Sequence, residues 1–73
     1  MATSASRIDA GKRVRHWREL RNLSQSDLAD RAKMDNAKLS RIETGKMRPR
    51  VEDIESLARA LDVTMAEFFG EAA

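Results

Sequence analysis

Apolar residues in this chain recur at helical spacing, and no stretch alternates as a half-buried strand would. Val14, Trp17 and Leu20 follow one another at i, i+3 and i+6, and Gly11 is the only breaker between Arg7 and Asn22. This predicts a first helix with a slowly drifting apolar stripe, ended by Asn22 in the left-handed conformation. Ser24 and Asp27 have the spacing of a capping box and open a second helix over about 25–32, with Leu28, Ala29 and Ala32 as its narrow apolar face. Lys33-Met34-Asp35 is a three-residue break in which Asp35 suits an N-cap and Met34 can staple onto Leu39. A third helix follows over about 36–44, with Leu39 and Ile42 inward and Gly45 as its stop.

The period is cleanest in a fourth helix over 51–61, where Ile54, Leu57, Ala58 and Leu61 stand at i, i+3, i+4 and i+7. Thr64 and Glu67 form a second capping-box pair, opening a short fifth helix that carries Met65, Phe68 and Phe69 and closes at Gly70. The expected fold is all-α: one compact five-helix domain over 7–70, with flexible tails at 1–6 and 71–73. Leu28, Leu39, Ile42, Ile54, Leu57 and Leu61 are its expected core, with Trp17 alongside.

A chain of 73 residues suffices for one small domain of marginal stability. It has no cysteine and a single histidine, His16, so neither a zinc cluster nor a Cys–His pair can be built. No catalytic constellation is present, and no cofactor, metal or small-molecule ligand is expected. No apolar run reaches the roughly 18 residues of a membrane span, and the N-terminal stretch lacks a secretory h-region. A cytoplasmic protein without membrane contact is expected.

Charge adds a direction. Residues 7–50 carry 13 Lys/Arg against six acids, whereas residues 51–73 carry Arg59 against six acids. The net +2 therefore conceals a basic N-terminal part and an acidic C-terminal part, an arrangement suited to a polyanionic partner on one side.

Helix, three-residue turn, helix is the geometry of a helix-turn-helix, whose second helix enters the major groove of DNA. The third helix fits that task. Asn36 can pair with adenine, Arg41 with guanine, and Ala37 is small enough to meet a thymine methyl. Lys46, Arg48 and Arg50 follow where phosphates flank the groove, and Ser24-Gln25 presents a helix N-terminus to a phosphate.

With these residues in place, LSQSDLADRAKMDNAKLSRIETGKMRP followed by IESLARALDV resembles the XRE/Cro-type helix-turn-helix family of bacterial and phage transcriptional regulators. The resemblance spans about residues 11–69 and implies a phage repressor/Cro-like DNA-binding domain. It points Asn36, Ala37, Lys38 and Arg41 into the major groove. Ser24, Gln25, Ser40, Thr44, Lys46, Arg48 and Arg50 fall near phosphates, Gln25 also bracing the reading helix. Arg18 and Glu43 match a family pair that forms a shielded salt bridge. Lys33 stands where the family favours glycine, and Arg50 where it favours a Ser/Thr cap.

The function expected on this footing is a sequence-specific regulator that binds a pseudo-palindromic double-stranded DNA operator as a homodimer. Val63, Met65, Phe68 and Phe69 are its expected dimer interface, since a short helix with this stripe cannot bury it alone. RNA polymerase or a toxin is a further conceivable partner for the acidic half. The alternative is a protein-interaction module of the same fold, antitoxin-like or binding a partner regulator, with weak or no specific DNA binding.

Overall fold

The computed structural model describes residues 2–70, with side chains from residue 10 onward. Five helices follow one another: α1 (Ala2–Leu20), α2 (Gln25–Ala32), α3 (Asn36–Glu43), α4 (Val51–Leu61) and α5 (Met65–Phe68), and no strand occurs among the described residues. The first helix begins at Ala2, so residues 2–6 continue it and do not form the expected loose tail. Nothing in 2–10 breaks a helix, and extending a formed helix adds one hydrogen bond per residue fixed without a new nucleation cost. The tail expected at 71–73 lies outside the described residues.

Both predicted capping boxes form, whereas Asp35 stands at the N-cap of α3 without a side-chain capping bond. Ser24 Oγ accepts from the Asp27 N–H at 3.0 Å, and the Ser24 N–H donates to Asp27 Oδ2 at 3.2 Å. Thr64 and Glu67 exchange the same two bonds at 3.0 and 2.8 Å. Asn22, Lys33 and Asp62 all take positive φ, near 60°, and each is followed by an N–H that bonds back to a carbonyl of the helix just ended. Lys33 and Asp62 thus do what glycine usually does, at a cost of about 1–2 kcal/mol each.

The core gathers Val14, Leu28, Leu39, Ile42, Leu57, Leu61 and Phe68, all with almost no exposure, beside Ala29 and Ile54. The six aliphatic residues expected inside are all there. Leu20 is not: it is 56% exposed. Each three-residue step turns a helix by about 300°, so by the second step the stripe has swung off the buried face. The face of α1 that is buried runs through Ala10, Gly11 and Val14, with Trp17 half-buried at its edge and donating Nε1–H to the Phe68 carbonyl at 3.3 Å.

This packing fixes α2 and α3 against each other across the three-residue turn. α1 crosses behind α3, and α4 backs α2.

Candidate nucleic-acid interface

The outer face of α3 is polar and accessible. Asn36, Ala37 and Arg41 are exposed, while Leu39 and Ile42 on the opposite face are fully buried. Thr44 caps the helix end, its hydroxyl donating to the Ser40 carbonyl at 2.9 Å. Beyond it the chain turns at Gly45, with φ of 83°, and the Lys46 N–H bonds to the Arg41 carbonyl at 2.8 Å. Lys46, Arg48 and Arg50 are all exposed. Among the described residues no ion pair engages Arg41, Lys46, Arg48 or Arg50. Four solvated cations therefore stand on and just past the end of α3.

Behind this face lies a buried polar lock. Arg18 of α1 meets Glu43 of α3 with two parallel bonds, Nε–Oε2 at 2.7 Å and Nη2–Oε1 at 3.0 Å. Its remaining nitrogen Nη1 donates to the Leu23 carbonyl at 2.9 Å. Glu43 Oε1 also accepts from Gln25 Nε2 at 3.1 Å. The Glu43 side chain is 3% exposed and that of Arg18 13%, so the pair is shielded. Hydrogen bonding to Glu43 raises the Arg18 pKa above its already high value, with burial opposing. The expected Arg18–Glu43 bridge is present, and Gln25 joins it, so three helices meet on one carboxylate.

Lys38 behaves differently from its neighbours. Its Nζ lies 2.9 Å from Asp53 Oδ1 in the first turn of α4. Asp53 Oδ2 in turn accepts from the Arg50 N–H at 2.9 Å, the bond that the N3 side chain makes in a capping box. Burial pushes the Asp53 carboxyl up, yet the Arg50 N–H and the Lys38 ammonium outweigh it and hold the group below the ordinary carboxylate range. Asp27 is likewise held low, by its bonds with Ser24.

Of the expected dimer residues, Phe68 is fully buried within its own domain, so its ring is not available to a second chain. Phe68 instead joins Val14, Leu28, Leu39, Ile42, Leu57 and Leu61 in one buried cluster. Met65 and Phe69 remain exposed and Val63 is half-buried. Val63 and Met65 line an open groove between α4 and α5 together with Glu55, Arg59, Asp62 and Glu67.

Three structural residues were not foreseen: Asp53 as the partner of Lys38, Gly11 beneath α3, and Arg21, whose Nε donates to the Leu61 carbonyl at 2.9 Å and joins the ends of α1 and α4. Asp53 had a signal in the sequence, an acid three residues after a cap position with no capping side chain.

Comparison with known proteins agrees with this geometry. Residues 9–68 match the family described as "Helix-turn-helix domain". Among solved structures, the chain is similar to the restriction-modification controller protein C.AhdI from Aeromonas hydrophila. The two are 31% identical with a TM-score of 0.81, over 88% of this chain and 97% of that one. No curated protein gives a significant match in sequence.

Proposed function

The chain belongs to the helix-turn-helix domain family of DNA-binding regulators, and we propose that it is a sequence-specific transcriptional regulator that binds a pseudo-palindromic operator as a homodimer. One observation carries the reading. The exposed face of α3 holds Asn36, Ala37 and Arg41, while Lys46, Arg48 and Arg50 beside it are free of ion pairs among the described residues. Base-edge donors and phosphate-seeking cations on one face are what major-groove recognition requires. The Arg18–Glu43–Gln25 lock supports it by holding that face rigid.

In this reading Asn36, Ala37 and Arg41 meet bases. Ser24, Gln25, Ser40, Thr44, Lys46, Arg48 and Arg50 lie along the phosphates. The exposed Met65 and Phe69, with Val63, supply the two-fold contact that sets two reading helices about 34 Å apart. The likeness to a restriction-modification controller protein favours a regulatory role of the same kind.

The test is selection from randomised duplex DNA by the purified protein near physiological salt. An enriched inverted repeat with half-sites about one helical turn apart is the expected result. Weak, salt-sensitive retention with no enriched sequence overturns the reading. The acidic groove between α4 and α5 then becomes the surface to pursue, as a docking site for a partner protein.

A further inference from the structure

Five cations lie on α3 or in the connector that follows it, and one of them is spoken for. Arg41, Lys46, Arg48 and Arg50 are exposed and unpaired among the described residues, whereas Lys38 is held by Asp53. We propose that Asp53 is a specificity-determining residue: it withholds Lys38 from DNA, so that this lysine anchors the reading helix to α4 and contacts neither base nor phosphate. The inference rests on the DNA-binding reading above and concerns how selective that reading head is.

The geometry makes the hold asymmetric. Asp53 is 8% exposed and each of its oxygens has one donor, Lys38 Nζ and the Arg50 N–H, both at 2.9 Å. If Lys38 swung out to a phosphate, it would leave a desolvated carboxylate without the one ammonium paired with it among the described residues. A move of Arg41 or Lys46 to DNA strips no buried group of its partner. Lys38 also lines a cleft with Arg48, Arg50, Glu52 and Asp53.

The consequence is a matter of selectivity. An ammonium on a flexible stem binds phosphate as a point charge, and such contacts strengthen every sequence alike. Neutralising one on the reading helix lowers the background binding against which base contacts must compete. Asp53 thus joins two tasks, capping α4 and silencing a cation, through its two oxygens.

The experiment measures the salt dependence of binding to the selected operator and to a random duplex. It compares the full chain with Lys38→Gln, Asp53→Asn and the double variant. Glutamine keeps a donor for Asp53 while removing the charge, and asparagine keeps an acceptor for the Arg50 N–H while releasing Lys38. Lys38→Gln is expected to leave the salt slope and the operator-to-random ratio as in the wild type. Asp53→Asn is expected to steepen the slope by about 0.9 and to strengthen random-duplex binding more than operator binding. The double variant is expected to return to the wild-type slope.

A slope shallower by about 0.9 in Lys38→Gln, or a changed base preference, would place Lys38 on DNA and overturn the inference while leaving the DNA-binding reading intact. An unchanged slope and ratio in Asp53→Asn would overturn it equally. Each single variant decides alone if the other fails to fold, as judged by helical circular dichroism. A wild-type protein that selects no sequence removes the function itself, and that outcome is distinct from both.

Discussion

A Cβ placed on Gly11 would overlap the carbonyl oxygen of Ile42 and crowd that of Glu43 at 3.3 Å. The first helix therefore passes beneath the last turn of α3 at backbone distance, just where the chain places Glu43 for its bonds with Arg18 and Gln25. α3 is seated on α1 by the absence of a side chain.

Gly11→Ala is accordingly expected to destabilise, against the usual direction for a glycine inside a helix. Propensity alone favours alanine by about 1 kcal/mol. The obstacle is backbone rather than a flexible side-chain tip, and overpacking of this kind costs about 1–3 kcal/mol or more. The net expectation is a loss on the order of 1–2 kcal/mol, read as a lower urea midpoint with unchanged m-value. A higher midpoint would mean that α1 crosses α3 farther out than the structure has it.

The Arg18–Glu43 pair lends itself to a double-mutant cycle. Removing Arg18 alone (Arg18→Met) leaves Glu43 buried with only Gln25 to meet it, and loss of one partner of a buried pair costs about 3–5 kcal/mol. Replacing both, as Arg18→Met with Glu43→Leu, removes the uncompensated charge. The double variant is expected to recover much of the stability while losing the bracing of α3 by Gln25. Urea unfolding of the four proteins checks this, and additive single effects would show that the pair is not coupled.

Acid sensitivity follows from Asp53. Its folded pKa lies below its ordinary value, because the Arg50 N–H and Lys38 outweigh the effect of burial. A group depressed in this way contributes stability that is fully present above its unfolded pKa, about 3.9, and is lost as pH falls through the folded value. Wild-type stability should therefore decline below about pH 4, and Asp53→Asn should show a smaller decline over the same range. Urea midpoints between neutral pH and the acid limb test the difference. Parallel curves for the two proteins would assign the acid loss to other carboxylates.

Much of the molecule could be read from local chemistry. Ser24 with Asp27, and Thr64 with Glu67, announce two helix starts because a capping box needs only residues three apart. The aliphatic core follows from period alone, whereas Lys33 in the left-handed region was signalled only by the family's preference for glycine at that position. Arg18 and Glu43 were legible only through family resemblance, since 25 residues separate them. What stayed hidden depends on tertiary approach. Nothing local in Gly11 says that another backbone passes over it, and nothing in Lys38 says that α4 brings Asp53 alongside. Leu20 misled for a related reason: a stripe at i, i+3, i+6 rotates away from the core, and only the packed helix reveals where it leaves. Phe68 and Phe69 are adjacent and chemically identical, yet one is core and the other surface.

That adjacent pair separates folding from assembly. Phe68 is fully buried, so Phe68→Ala is expected to cost about 3–5 kcal/mol and to threaten the fold itself. Phe69 is 39% exposed beside Met65, and Phe69→Ser is expected to leave the helical spectrum intact while shifting the sedimenting species toward monomer. Sedimentation at micromolar concentration decides. A Phe69→Ser protein that sediments with the wild-type dimer moves the contact away from α5, and a wild-type monomer removes the dimer altogether.

On the DNA face, Arg41 and Lys46 should fail in different ways although both are exposed cations five residues apart. Arg41 lies on the outward face of α3, where a guanidinium can make two bonds to guanine. Arg41→Ala is expected to cost about 1–3 kcal/mol on the selected operator and to relax preference at one base position. Lys46 lies past Gly45, in the connector, and is the proposed phosphate contact. Lys46→Ala is expected to weaken operator and random duplex alike and to reduce the salt slope by about one. Titrating both variants against both duplexes at several salt concentrations separates the roles. Equal losses on the two duplexes for Arg41→Ala would move base reading to Asn36 and Ala37, and place Arg41 among the phosphate contacts.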